Sequence, residues 1–409
     1  MIEPAANKPF VAIACGGTGG HLFPGLAVAE ELKKHGCNIA LLISPKEIDQ
    51  QAVKSAQGFE IFTLPAVGLQ NRNYFSFAYS FLKSLFAVRK IFRRRKPDAV
   101  LAMGGFTSAP PIFVAKDLGA ETFLHESNTI PGRANRFLAR FVDEAFVGFP
   151  EAAARLRAKK VSTTGTPVRP QFCSSGREPA HSENQSRLTS AATIESRRTA
   201  LGLDPNRPTI LVMGGSQGAT GLNEMILSAL PLLAGKNWQW LHLAGTNDFE
   251  KVKQAYAALG LKAVVKPFLV EMELALGAAT VSVSRSGASS LAEIAAMRLP
   301  SLLVPYPTAA DNHQFFNALA FEKTGAAKVL EQKDSTPGKV AAALIELIEN
   351  EVVQKKIKAA LAQWHAPKAA EQIAENILSA IVQRQEKTAQ TEVKKCGCGH
   401  AHGPAKHAH

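Results

Sequence analysis

Two short stretches constrain this chain more than any others. Phe10–Cys15 is an apolar strand candidate that runs straight into Gly16-Gly17-Thr18-Gly19-Gly20-His21. Thr209–Met213 is another, and it runs straight into Gly214-Gly215-Ser216-Gln217-Gly218. Helix-forming sequence follows both turns. Strand, glycine turn and helix open a parallel βαβ unit, and such units bind ligands outside the carboxyl ends of their strands. Finding the signal near the start and again past the midpoint predicts two α/β halves.

The remaining strand candidates fit that plan. In the first half they are Ile39–Ile43, Ala99–Met103, Thr122–His125 and Glu144–Val147, with helices at Gly25–His35 and Arg133–Arg140. In the second half they are Trp240–Leu243, Ala263–Val265, Thr280–Val283 and Ser301–Val304. Alternating strand and helix predicts the α/β class, with a doubly wound parallel sheet in each half. The Ser-, Thr- and Arg-rich stretch after Phe172 lacks apolar periodicity and reads as a flexible insertion. The expected division is a first domain at 1–170, a linker at 171–203 and a second domain at 204–365. A helix at 366–384 is expected to return to the first domain, and a Cys/His-rich tail at 385–409 to be disordered.

Composition removes several function classes. No run of about 18 uncharged apolar residues occurs, so no transmembrane helix is expected. The opening MIEPAANKPFVAIACGG reads as a first strand and not a signal peptide. Five cysteines without framework spacing suit a reducing cytoplasm. A net charge of +13 asks for an anionic partner. Without a helix-turn-helix, zinc-finger or RNA-recognition signature, nucleic acid is not that partner.

The Gly16–Gly20 turn is not G-x-G-x-x-G, and no acidic residue closes the second strand, which argues against NAD or FAD. Neither glycine turn ends in the Lys-Ser/Thr of an ATP-hydrolysing loop. Bare backbone N–H groups suit a diphosphate instead. His21, at the tip of the turn, is either a base within reach of a substrate hydroxyl or simply a residue at a helix start. Gly104–Pro110, His125–Asn128 and Thr166–Arg169 end on the same rim, with Arg169 suited to a phosphate or carboxylate at the domain junction. In the second half, a small-residue loop at Ser284–Ser290 leads into a helix at Leu291–Met297 whose first turn carries Glu293. Gly287 and Ala288 let the backbone approach a ligand, and the helix start suits a phosphate. Glu293 either accepts from two ribose hydroxyls or only complements the helix dipole, worth about 0.3–1 kcal/mol. The nucleotide site shows no DxD-type pair, Asp311 standing alone there, and no metal and no cofactor are expected.

Leu69–Lys96 interleaves Tyr74, Phe75, Phe77, Tyr79, Phe81, Phe86 and Phe92 with Lys83, Arg89, Lys90 and Arg93–Lys96. It is either an amphipathic face for an anionic membrane or a core helix with a solvated basic end. Cys396, Cys398, His400, His402, His407 and His409 are either soft-metal ligands or an adventitious tail.

GGTGGHLFPGLAVAEEL, MGGFTSAP, HESN, GTPVR, GGSQGATGLNE, SRSGASSLAEIAAMRLPSLLVPYP and DNHQFFNA occur in that order. In this combination the chain resembles the MurG family, the membrane-associated N-acetylglucosaminyltransferases of bacterial peptidoglycan synthesis, over residues 9–170 and 205–380. The resemblance implies a GT-B fold, two Rossmann-like domains facing across a cleft. It implies inverting transfer of N-acetylglucosamine from UDP-N-acetylglucosamine to the muramoyl 4-hydroxyl of lipid I, giving lipid II and UDP. By the same resemblance Ser216 meets the diphosphate and the backbone near Leu269 reads the uracil. Ala288, Ser289, Ser290, Leu291, Ala292 and Glu293 hold phosphate and ribose, and Gln314 with Asn317 holds sugar hydroxyls. Thr18, Gly19, Gly20 and Asn128 close over the sugar, Arg169 lies at the hinge, and His21 is the base. The Gly16–Gly20 and Gly104–Thr107 turns face the lipid diphosphate. Metal-independent chemistry on the cytoplasmic face of the inner membrane, beside other cell-wall synthesis and division proteins, is also implied. The insertion after Phe172 is longer than the family's usual connection, and the tail has no counterpart.

Three other readings share parts of this pattern. A UDP-sugar epimerase needs acidic catalytic residues in the cleft and no membrane face. A glycosyltransferase acting on diacylglycerol has no acceptor diphosphate to fill the first-half turns. A nucleotide-sugar binding module has no need of His21.

Overall fold

The computed structural model describes residues 8–17, 19–46, 49–50, 53, 58–65, 74–173, 193–215 and 218–397, with the backbone alone at 74, 173 and 391–397. Thr18, Ser216, most of the Ser-rich insertion, 69–73 and 398–409 lie outside the described residues.

The first sheet holds β1 (Phe10–Ala14), β2 (Asn38–Ile43), β3 (Glu60–Thr63), β4 (Ala99–Ala102), β5 (Glu121–Glu126), β6 (Glu144–Val147) and β7 (Val161–Thr163). Their order is β3-β2-β1-β4-β5-β6-β7, all parallel. The second sheet holds β8 (Thr209–Met213), β9 (Gln239–Leu243), β10 (Ala263–Lys266), β11 (Val281–Ser284), β12 (Ser301–Leu303) and β13 (Lys328–Val329). It repeats the order as β10-β9-β8-β11-β12-β13, again parallel. In both sheets the chain reverses direction beside the first strand of its half. That switch point is where doubly wound sheets open a crevice.

Both faces of the first sheet are covered. Along β1, Phe10, Ala12 and Ala14 enter one apolar cluster and Val11 and Ile13 the other. A strand buried on both sides must be apolar at every position, which is why it reads as a continuous run.

The helices that shape the cleft are α1 (Gly19–Lys34), α2 (Tyr74–Arg94), α3 (Ala109–Asp117) and α4 (Arg133–Leu138) from the first half. A short α5 (Ile194–Ala200) precedes the second half, which adds α6 (Met272–Ala278), α7 (Ala288–Ala296) and α8 (His313–Lys323). The last helix is α9 (Ala369–Gly397). Its Ile373, Ala374, Ile377 and Ile381 pack into the first-half core.

Three local readings need correction. α9 runs on to Gly397, so the stretch from 385 begins as helix; Gln, Glu and Lys propagate a helix that packing has already nucleated. Part of the supposed linker is docked. Thr193 caps α5, and the Arg198 guanidinium donates to the Ala278 and Pro205 carbonyls and to Thr280 Oγ1 at 2.9, 2.8 and 3.0 Å. Finally, α7 starts at Ala288, three residues earlier than its apolar pattern suggests, so Glu293 stands in its second turn.

Candidate active site

Both halves aim a helix N-terminus at the crevice. α1 begins at Gly19 directly behind β1, and α7 begins at Ala288 behind β11. The N-cap of α7 is Gly287, which has no side chain to satisfy the first N–H groups. Those donors stay available to an anion. The two helix starts meet across the cleft, where Ser289 Oγ donates to the Gly20 carbonyl at 2.9 Å.

Around this meeting point lies a cavity of about 1380 Å³. Gly19, Gly20, His21, Glu126 and Asn128 line it from the first half. Leu269, Gly287, Ala288, Ser289, Ser290, Glu293 and Gln314 line it from the second.

His21 stands in the first turn of α1, not at a free loop tip. Its Nδ1 is buried with no hydrogen-bond partner among the described residues. Gly104 and Gly105 form the wall behind the ring. Both have positive φ, 110° and 77°, and a Cβ at Gly104 would lie 2.9 Å from His21 Cε1. Desolvation holds the imidazole below its ordinary pKa; the Glu126 carboxylate, the Met103 backbone and Asp49 push it back up, and Lys46 lowers it further. A neutral imidazole at physiological pH is the protonation state a general base needs.

Glu126 is the alternative base, and its geometry speaks against it. Oε1 accepts from Asn128 N and Nδ2 at 2.8 and 3.0 Å, and Oε2 accepts from Gly132 N and Asn135 Nδ2 at 2.9 and 2.8 Å. Four donors occupy the carboxylate, which therefore fixes the 126–135 loop and supplies a field.

Glu293 is set differently. Burial raises its pKa to about 7; Arg169 pulls it down and Glu273 pushes it up. A carboxylate of raised pKa that lines the cavity is suited to accept from ligand hydroxyls.

Residues 11–147 match the Glycosyltransferase family 28 N-terminal domain and residues 209–374 the Glycosyltransferase family 28 C-terminal domain. A relative from Anaeromyxobacter sp. (strain Fw109-5) is 34% identical over 379 residues, covering 91% of this chain and 93% of the relative. It is named UDP-N-acetylglucosamine–N-acetylmuramyl-(pentapeptide) pyrophosphoryl-undecaprenol N-acetylglucosamine transferase. The crystal structure of Acinetobacter baumannii MurG is similar with TM-score 0.67 and 26% identity, over 91% of this chain and all (100%) of that one. A UDP-GlcNAc 2-epimerase from Neisseria meningitidis bound to UDP-GlcNAc, at 15% identity and TM-score 0.66 over 91% of this chain and 100% of that one, shares the fold alone.

This chain belongs to the MurG family. The GT-B architecture expected of that family is present as two parallel-sheet α/β domains.

The family residues do not all gather at the cavity. Gly19, Gly20, His21, Asn128, Leu269, Ala288, Ser289, Ser290, Glu293 and Gln314 line it. Leu291 does not; it is fully buried in the second-half core and anchors α7. Ala292 also lies off the lining. Arg169 lies behind the wall, stacked on Phe23 and Phe172 at 4.6 and 5.2 Å and 3.7 Å from Glu273. It reaches the site through its charge on Glu293.

Asn317 is not free for a sugar in this arrangement. Its Oδ1 accepts from Thr129 N and Oγ1, both at 2.9 Å, and its Nδ2 donates to Asn128 Oδ1 and the Ser286 carbonyl at 3.0 and 3.1 Å. It clasps the two halves together. Asp311 pairs with Arg136 at 2.6 Å and Arg133 at 3.4 Å across the mouth of the cleft. Residues missed in the sequence include Asp49 and Lys46. Asp49 Oδ2 accepts from Gly17 N at 2.7 Å, and Lys46 Nζ donates to the Gly17 carbonyl at 2.8 Å. Both lie outside every motif, so no local signal marks them.

Proposed function

We propose that this cleft transfers N-acetylglucosamine from UDP-N-acetylglucosamine to the muramoyl 4-hydroxyl of lipid I, with inversion, giving lipid II and UDP. One observation carries the reading: a single cavity sets neutral His21 against the bare N-terminus of α7 and Glu293. The donor's diphosphate lies on the α7 N–H groups, with Ser216 beside it. Its ribose hydroxyls donate to Glu293, the uracil lies by Leu269 and the sugar by Gln314. Thr18, Gly19, Gly20 and Asn128 close over the sugar from the first half, and Arg169 holds the hinge. His21 takes the proton as the acceptor oxygen bonds to the anomeric carbon. The bond from that carbon to the β-phosphate oxygen breaks, and the α7 N-terminus stabilises the negative charge left on UDP.

The deciding experiment measures UDP release from UDP-N-acetylglucosamine with and without a lipid I analogue. Release only with the analogue, together with a β-linked disaccharide product, is expected. Turnover without acceptor, as an epimerase would show, would sink this reading.

The acceptor's polyprenyl chain keeps it in the bilayer, and we assign peripheral membrane docking to α2. Among the described residues no helix is long and apolar enough to cross a membrane. Phe75, Tyr79, Leu82 and Phe86 recur at helical spacing and are 92%, 68%, 52% and 69% exposed. Beside them Phe86, Arg89, Lys90, Arg93 and Arg94 line a cationic hollow of about 440 Å³. Each basic residue near an anionic leaflet contributes about 1 kcal/mol. Arg89 and Arg95 are excluded from this count, because Arg89 pairs with Asp117 at 3.1 Å and Arg95 pairs with Glu60 and stacks on Phe10. Arg93→Glu/Arg94→Glu should weaken binding to anionic vesicles by at least about tenfold. Unchanged binding would move the membrane face elsewhere.

A further inference from the structure

The cavity is larger than the polar reaction centre requires. At about 1380 Å³ it exceeds the ~300–1,000 Å³ of ordinary small-molecule sites. Much of its remaining lining is aromatic and comes from the first half. Phe77 and Phe81 of α2, Phe113 of α3 and Phe137 of α4 all face it. Their rings form a continuous wall, with centroids 6.3 Å apart for Phe77–Phe81, 6.5 Å for Phe81–Phe113 and 6.3 Å for Phe113–Phe137. Phe137 is still 48% exposed. Four rings lining a wet cavity are a cost unless something apolar covers them.

The position of α2 says what covers them. Val88 and Phe92 enter the core, Phe75, Tyr79, Leu82 and Phe86 face outward, and Phe77 and Phe81, one turn apart, face the cavity. One helix therefore separates the outward apolar face from the reaction cavity. A diphosphate placed near His21 and esterified to a polyprenol must send its first isoprenyl units away from the polar centre and towards the bilayer. The aromatic wall lies between those two ends.

We propose that this wall is a subsite for the first isoprenyl units of the lipid acceptor. The proposal rests on the function proposed above and deepens it: the enzyme recognises the chain next to the diphosphate as well as the sugar. Isoprenyl units are flat at the double bond and branched by a methyl. They pack on ring faces through dispersion while removing apolar surface from water.

The test uses the full chain without membranes, titrated with geranyl diphosphate and with inorganic pyrophosphate. The wild type should bind geranyl diphosphate at least about tenfold more tightly. Phe77→Ala/Phe81→Ala should abolish that preference while pyrophosphate and UDP affinities persist. Phe77→Leu/Phe81→Leu, which retains apolar bulk and guards against a folding defect, should restore a good part of it. Equal affinity of the wild type for the two probes, or a preference that survives in the alanine variant, overturns the proposal. A second arm compares acceptor analogues bearing a methyl or a geranyl ester on the diphosphate, where the preference should appear in KM. Failure to transfer to either analogue would count against the proposed function, while the binding titration still decides the subsite. A third arm uses phosphatidylglycerol vesicles. Binding by the alanine variant should match the wild type, and a parallel loss would reassign both residues to the docking face and overturn the proposal.

Discussion

The two glycine turns look alike in the sequence and are built for different work. In the first, the protein's own groups occupy the backbone. Asp49 takes the Gly17 N–H, Lys46 the Gly17 carbonyl and Thr107 the Gly16 carbonyl at 2.8 Å. A Cβ at Gly16 would strike the Ser44 backbone. In the second, Gly215 has φ 102° and open space around its Cα. The same strand–turn–helix signal thus yields a tied-down turn that aims His21 and, in the second half, a turn that is as tight at Gly214 and Gly218 but leaves Gly215 facing open space. The first-half turn contributes chemistry through α1, not through a Gly17 N–H free for phosphate.

The sharpest way to break this comparison is to remove the residue that the rigid turn aims. His21→Ala should lower kcat by roughly 10²–10⁴-fold, the usual loss for a missing general base. UDP affinity, governed by the other half, should hardly change. Wild-type turnover in the variant would leave the first turn without a catalytic purpose. Because burial lowers the His21 pKa, the acid limb of kcat/KM should fall below the ordinary histidine value of about 6.5. The limb should vanish in the residual activity of His21→Ala.

Glu293 tests the donor side with a smaller effect. Glu293→Gln should raise the KM for UDP-N-acetylglucosamine by about 10- to 100-fold, since charged hydrogen bonds contribute about 1.5–3 kcal/mol. The acceptor KM should move far less. The carboxyl titrates at about 7 in the folded chain. Its ionised form accepts the ribose hydroxyls, so UDP affinity should fall about tenfold from pH 8 to pH 6 in the wild type and stay flat in Glu293→Gln. Stability carries the opposite sign. The folded carboxyl holds its proton more tightly than the unfolded one, so its contribution favours folding below pH 4.5 and is lost as the pH rises to 7. Glu293→Gln should therefore melt at least about 2 °C higher than wild type at pH 8 and equally at pH 4. Equal melting points at both values would show that the carboxylate carries no burial penalty.

How much of this was readable from the chain differs between strands and side chains. The central strands are legible because both faces of each sheet are covered. β3, β7 and β13 escaped because edge strands are short and half-exposed: β3 reads Glu-Ile-Phe-Thr with Ile61 40% exposed. The site positions on the two helix starts were legible because glycine turns must sit at carboxyl strand ends. Asp49, Lys46 and the Asn317 clasp were not. Their partners lie far along the sequence or in the other half, and no local pattern encodes such pairings. Arg198 misled for a similar reason, since a buried arginine with carbonyl partners looks like a linker residue until the carbonyls are seen.

The smallest effect belongs to the contact that joins the two halves at the rim. Asp311 and Asn312 both adopt left-handed backbone, φ 50° and 54°, which aims the Asp311 carboxylate at Arg136 and Arg133 of α4. Asparagine tolerates that conformation, so Asp311→Asn removes the charge and keeps the turn. Arg133 is 83% exposed and Arg136 42%, which places the pair in the class worth about 0.2–1 kcal/mol. Closure of the cleft should weaken accordingly, and the donor KM should rise by no more than about fivefold. The distinguishing readout is salt. Raising ionic strength screens an exposed pair, so the wild-type KM should climb towards the variant's while the variant's stays level. A loss well beyond fivefold that ignores salt would mean that Asp311 touches the donor itself, and the rim contact would then belong to the open, second-half side of the comparison.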